Sequence, residues 1–196
     1  MKDTGTNPHP SPDAAARETP APADFVSAVE SLYRARLRGD MSLGDIRPPQ
    51  RLAPYSHAIG LEVERDSEDD SFGRLILLHD PRAEEAWSGK MRLVAYIQAD
   101  MDDELASDPM LPTVVWQWLT EELDESGAGY TNLGGTVTST ASVRFGEIGG
   151  KERSHQAELR ASWTAVGLDL APHVEAFAGV LAHVAGLPPE GVATLR

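Results

Sequence analysis

Three segments between residues 55 and 100 constrain the fold more than any other part of the chain. In YSHAIGLEVE, Tyr55, His57, Ile59, Leu61 and Val63 alternate with Ser56, Ala58, Gly60, Glu62 and Glu64, the period of two that gives a strand one apolar and one polar face. GRLILLHD is apolar on both faces, as an interior strand is. MRLVAYIQAD supplies a third strand. The acidic run RDSEDDSFG and the stretch PRAEEAWSGK connect them, and connections this short predict an antiparallel meander.

The remaining elements are set around that meander. Phe25, Val26, Val29, Leu32, Tyr33 and Leu37 recur at helical spacing, with Asp24 as N-cap and Gly39 as stop. Residues 39–54 carry too much Pro and Gly for an element and are expected to form an ordered crossing loop. LPTVVWQWLTEELDESG predicts a second long helix: Pro112 sits at a first-turn position, Gly127 at the C-cap, and Val115, Trp118, Leu119 and Glu122 share one stripe. TVTSTASVRFG and HQAELRASWTAV alternate as two further strands, and LAPHVEAFAGVLAHVAG closes the chain as a helix. The order α-βββ-α-ββ-α predicts an α+β fold, a single antiparallel sheet of about five strands with its helices packed on one face. The other face would be polar, with Thr136, Thr138, Thr140, Ser142 and Arg144 beside Gln156, Glu158, Arg160, Ser162 and Thr164.

Residues 1–23 contain five prolines among small polar residues and are expected to be a disordered tail, leaving residues 24–196 as one α+β domain. No run approaches the ~18 apolar residues of a membrane span or resembles a signal peptide. Cysteine is absent, which excludes disulfides, thiolate metal sites and a cysteine nucleophile. With 17 Lys+Arg against 31 Asp+Glu, the formal charge of −14 opposes direct binding to nucleic acid or anionic membranes. The expectation is a cytoplasmic protein with no cofactor and a possible protein partner.

Several constellations carry chemistry on paper. Asp80-Pro81 after the second strand fits a helix start: an N-cap carboxylate, a proline at the first helical position, then Glu84 and Glu85 at the positive end of the dipole. A hairpin between the first two strands brings His57 toward His79 on a shared face, and two imidazoles with Asp80 or Glu84 would bind a zinc-type metal. The competing explanation is a pair of half-buried histidines at strand ends. The acidic clusters at 66–70 and 99–104 lack the ligand spacing of a calcium loop. Gly134-Gly135 precedes a strand and lacks the lysine of a phosphate loop, so a turn or bulge is expected. No serine stands in a GxSxG setting.

Trp116 and Trp118, two residues apart, cannot share one helix face, so one of them borders a pocket or a partner. Arg144 and Arg160 share the polar sheet face by parity, and Arg92 joins them if its strand is a neighbour. Such a guanidinium cluster would take a carboxylate, a phosphate or an acidic partner segment. The alternative is cross-strand pairing with Glu62 and Glu158.

RLAPYSHAIG, GRLILLHDP with EEAW, DPMLPTVVWQWL, GGTVT and LRASW, in this order, resemble a family of actinobacterial proteins catalogued as domain of unknown function number three thousand. The resemblance spans residues 25–190. It implies a bacterial cytoplasmic protein and supplies no activity, cofactor or catalytic residue. The functional expectation is therefore a non-catalytic binding or adaptor module, using Arg92, Arg144, Arg160 and Trp116. The alternative is a metal-dependent or hydrolytic enzyme built on His57, His79 and Asp80.

Overall fold

The computed structural model describes residues 20–64, 71–147 and 153–189. In chain order its elements are α1 (Ala23–Leu32), β1 (Met41–Asp45), β2 (Tyr55–Val63), β3 (Ser71–His79), α2 (Glu84–Trp87), β4 (Met91–Met101), α3 (Asp103–Ala106), α4 (Leu111–Glu125), β5 (Tyr130–Val143), β6 (Arg153–Ala165) and α5 (Ala171–Val184). The strands form one antiparallel sheet in the order β1-β2-β3-β4-β6-β5. The fold is α+β as expected, with six strands and not about five.

The additional strand is MSLGD, inside the segment expected to be a loop. Its Leu43 stands opposite Leu61 on β2, so pairing to an already formed edge overrides a weak local propensity. The first helix ends at Leu32 instead of running to Gly39, and Pro22, not Asp24, is its N-cap. Beyond the helix, tertiary partners take over: the Arg36 amide donates to the Glu175 carboxylate at 2.8 Å, and the Arg38 guanidinium donates to the Pro188 carbonyl at 2.8 Å. Of the expected tail, residues 1–19 lie outside the described residues, as does the acidic run 66–70.

Alternation along the strands decides which sheet face meets the helices. On β4, Met91, Leu93, Ala95, Ile97 and Ala99 are buried, while Arg92, Val94, Tyr96, Gln98 and Asp100 are half-buried. The odd positions of β2, β3 and β6 continue that apolar face. Across it lies α5, in which ten residues are buried, among them Val174, Phe177, Val180 and Leu181. A helix apolar on nearly every side belongs in the middle of a structure, and α4 packs on it from outside. Phe177 is fully buried, and a Cβ at Gly73 would lie 2.6 Å from its ring. Glycine on β3 is thus the seat of that ring, whose burial is worth roughly 1.5–3 kcal/mol.

Two buried polar contacts fasten neighbours to this helix. Trp163 on β6 donates its Nε1–H to Nδ1 of His173 on α5, at 3.0 Å. Ser31 on α1, fully buried, donates to the Ala28 carbonyl at 2.7 Å and accepts the Leu170 amide at 2.7 Å. Since Nδ1 of His173 is the acceptor, the neutral ring carries its proton on Nε2, which has no partner among the described residues.

Burial lowers the pKa of His173 from 6.5 to about 4. The unfolded chain therefore binds a proton that the folded protein refuses, and stability falls as pH drops from 6.5 toward about 4. The total linked loss is ~3 kcal/mol. Urea unfolding of the wild type and His173→Gln, which keeps an acceptor for Trp163, is expected to show a steeper acid loss in the wild type over that window. Parallel pH profiles would contradict the assignment.

Candidate functional site

The structure does not assemble His57, His79 and Asp80. In the β2–β3 register Tyr55 stands opposite His79 and His57 opposite Leu77, so the two histidines are diagonal on the shared face. Each also has its own surroundings. His79 is buried against the rings of Phe25 and Tyr55, each 5.9 Å between centroids. Neither of its nitrogens has a hydrogen-bond partner among the described residues. Burial lowers its pKa, offset in part by the charges of Asp24 and Asp80.

His57 joins a different chain of contacts. The Tyr33 hydroxyl donates to the Asp45 carboxylate, and His57 Nε2 lies 2.6 Å from the same hydroxyl oxygen. With the tyrosine hydrogen committed to Asp45, the imidazole N–H donates to Tyr33. Burial and Asp45 push the Tyr33 pKa up to about 12, and burial lowers that of His57. Asp80 closes a local turn: its Oδ1 accepts the Arg82 amide at 2.9 Å, and its carbonyl accepts the Ala83 amide. The helix itself begins only at Glu84, so Asp80 and Pro81 are not its N-cap and first residue as expected: the carboxylate spends its bond on a turn that precedes α2. Among the described residues no group of three His, Cys, Asp or Glu is arranged to hold a metal.

The arginines do not form a cluster either. Arg92 stands opposite Thr164, and Arg160 opposite Tyr96 and Thr136. Four residues along a strand separate the first two by ~14 Å, and the eight from Thr136 to Arg144 add ~27 Å. Arg92 is consumed internally. Its guanidinium donates to the Asn132 carbonyl, to Thr164 Oγ1 and to the Ser162 hydroxyl and carbonyl. These bonds fix the irregularity between Thr131 and Gly134 where β5 shifts register on β6. Asn132, at φ 52°, donates to the Trp87 carbonyl at 3.2 Å, tying α2 to the same point. Arg160 pairs with Glu158 at 3.0 Å along β6 itself, two residues away and not across strands as expected, and lies over the Tyr96 ring of β4. Arg144 follows β5 and is exposed.

Trp116 and Trp118 divide as their spacing demands. Trp116 packs over Gly135 of β5, where a Cβ would meet its ring at 2.9 Å. Trp118 turns toward α5 and stacks on His183, with centroids 5.1 Å apart and planes at 19°.

Beside that stack opens a cavity of about 430 Å³, between α5 and the segment after α1. Leu37, Ala178, Ala182 and Leu187 give it an apolar lining. Glu122 from α4 and His183 from α5 meet at its wall, Oε1 to Nε2 at 2.8 Å. Gly179 makes the meeting possible, because a Cβ there would collide with the Glu122 carboxylate. Arg38 reaches the cavity already neutralised by Asp40, in a two-pronged contact at 3.0 and 2.9 Å. Arg36 lines it as well. The arrangement suits a small molecule with an apolar body and a polar head, since pockets of roughly 300–1,000 Å³ with a few convergent polar groups hold such ligands.

Sequence reasoning missed this site, although one signal was present. Glu122 lies on the apolar stripe of α4 with Val115, Trp118 and Leu119, and a carboxylate in such a stripe requires a partner. Its partner stands 61 residues away, out of reach of any local pattern.

An α+β protein with an antiparallel sheet, helices on one face and a lined cavity behind the central helix is the class that fold and site define. The chain belongs to the family described as protein of unknown function (DUF3000), whose model matches residues 21–193. No curated protein and no solved structure matches the chain.

Titration with zinc or nickel is expected to leave the melting temperature unchanged. A rise that His57→Ala and His79→Ala each abolish would show that the two histidines do share a metal.

Proposed function

We propose that the protein is a non-catalytic binding module of the bacterial cytoplasm whose ligand occupies the cavity behind α5. The observation that carries this reading is the pairing of an apolar lining with the Glu122–His183 couple at one wall. Trp118 stacks on the His183 ring, and the Glu122 carboxylate lies over the bare backbone of Gly179. Preorganised polar groups at the edge of an apolar pocket give a ligand orientation as well as affinity. The cytoplasmic setting is supported by the cysteine-free, acidic composition, and no helix among the described residues is long and apolar enough to cross a membrane. The net charge of −14 favours a small molecule or a protein partner over nucleic acid.

A hydrolytic reading has one observation in its favour. Glu122 orients the His183 imidazole at the cavity wall, as a carboxylate orients a general base. Any such chemistry would centre on His183 and not on His57, His79 and Asp80.

Amide chemical-shift mapping against a library of small aromatic and aliphatic acids and amines tests the binding reading. Shifts are expected at Leu37, Gly179, Ala182 and His183, and Ala182→Trp, which fills the cavity, should abolish them. Shifts confined to other regions, or surviving Ala182→Trp, would overturn the site.

A further inference from the structure

The two edges of the sheet are built in opposite ways. β1 is five residues long, ends in Asp45 and runs into Arg47, Pro48 and Pro49. Shortness, charge and proline are the usual means of keeping an edge from pairing with another chain. β5 forms the other edge and has none of them: it is 14 residues long, YTNLGGTVTSTASV, without a charged residue or a proline. In a chain of net charge −14, an uncharged edge of this length is a local exception. No strand among the described residues pairs with its outer side.

Its side chains are also unsatisfied by the fold. From Thr138 to Phe145 every residue is exposed, Phe145 at 80% and Val143 at 44%. On the helix-side face β5 carries Gly135, Val137, Ser139, Ala141 and Val143, and on the other Thr136, Thr138, Thr140 and Ser142.

The central residues of the strand read alike in both directions. Around Ser139, Thr138 mirrors Thr140, Val137 mirrors Ala141 and Thr136 mirrors Ser142, and the likeness ends at Gly135 against Val143 and Gly134 against Arg144. A strand with this symmetry matches an antiparallel copy of itself, hydroxyl to hydroxyl on one face and, on either side of a central Ser139 pair, Val137 to Ala141 on the other. An interface related by a two-fold axis requires that self-complementarity.

We propose that the protein forms a two-fold homodimer by pairing β5 with β5 of a second copy, with Ser139 at the axis. The sheet then runs continuously through both subunits, and the unpaired edge disappears. If the pairing continues two residues past the end of β5, Phe145 comes toward Leu133 of the second copy, next to the Gly135 position over which Trp116 lies, and the most exposed aromatic ring gains an apolar wall. The uncharged strand lets two acidic chains approach there without setting like charges face to face.

Sedimentation equilibrium of the full chain is the first test, with twice the 21.1 kDa chain mass as the expected result. Ser139→Lys sets two ammonium groups together at the axis and should give a monomer with unchanged circular dichroism, whose melting temperature no longer rises with protein concentration as that of the wild-type dimer does. The natural chain has no cysteine, so Ser139→Cys can be read without background. Residues directly opposite across an antiparallel pair have Cβ atoms ~4.5–5.5 Å apart, and mild oxidation should link the two copies. Ser107→Cys, on an exposed loop, should not link. A monomeric wild type, or a dimer that Ser139→Lys leaves intact, overturns the proposal. Selective cross-linking through Cys at position 139, together with its loss of dimer as Lys, supports it.

Discussion

The ring of Phe177 on the bare backbone of Gly73 is the contact on which the rest of the structure depends. It sets the height of α5 above the sheet, since any side chain at position 73 would push the ring away. Helix and sheet can then bury their apolar faces together, with Leu75, Leu77, Leu93, Ile97, Leu159 and Trp163 below and Val174, Val180 and Leu181 above. Other elements are located from α5 outward. β6 is held to it by Trp163 and His173, α1 reaches the loop before it through Ser31, and α4 rests on it where Glu122 fits over Gly179. Glycine thus serves twice as a seat, once for a ring and once for a carboxylate.

This arrangement explains why the cavity lies where it does. α5 is buried along the sheet side and along α4, and its remaining flank faces the segment after α1, which leaves helical geometry at Tyr33. The Arg36 amide and the Arg38 guanidinium fix that segment to Glu175 and Pro188, and the space between becomes a lined pocket. The opposite sheet face is organised for cohesion: Arg92 binds the β5 irregularity, and Tyr96, Glu158 and Arg160 form a cross-strand cluster. A guanidinium that donates four hydrogen bonds within its own sheet has little left for a ligand.

What the sequence revealed depends on the range of each interaction. The alternating segments of β2, β5 and β6, the apolar run of β3 and the apolar helices α4 and α5 carry their burial in local spacing, so the fold class and the succession of these elements along the chain were legible, while the order of strands in the sheet was not. The strand at Met41–Asp45 was not, because it is short, glycine-bearing and stabilised by β2 and not by itself. The early end of α1 was hidden for the same reason, its replacement partners being Glu175 and Pro188 in the last third of the chain. Parity placed His57 and His79 on one face, but a shared face is not a shared site. The register sets them diagonally, and Tyr33 with Asp45 claims one while Phe25 with Tyr55 encloses the other. Asp80 was legible as a local capping group because its partners, Arg82 and Ala83, are close in sequence, but the helix it was expected to cap begins only at Glu84.

That α5 is the centre of the molecule is tested most directly by native-state hydrogen exchange. Amides from Val174 to Val184 are expected to exchange only through global unfolding, with the same free energy as the central strands β3 and β4 and well above the exposed half of β5. Exchange of α5 by local opening, while β3 and β4 remain protected, would contradict the account.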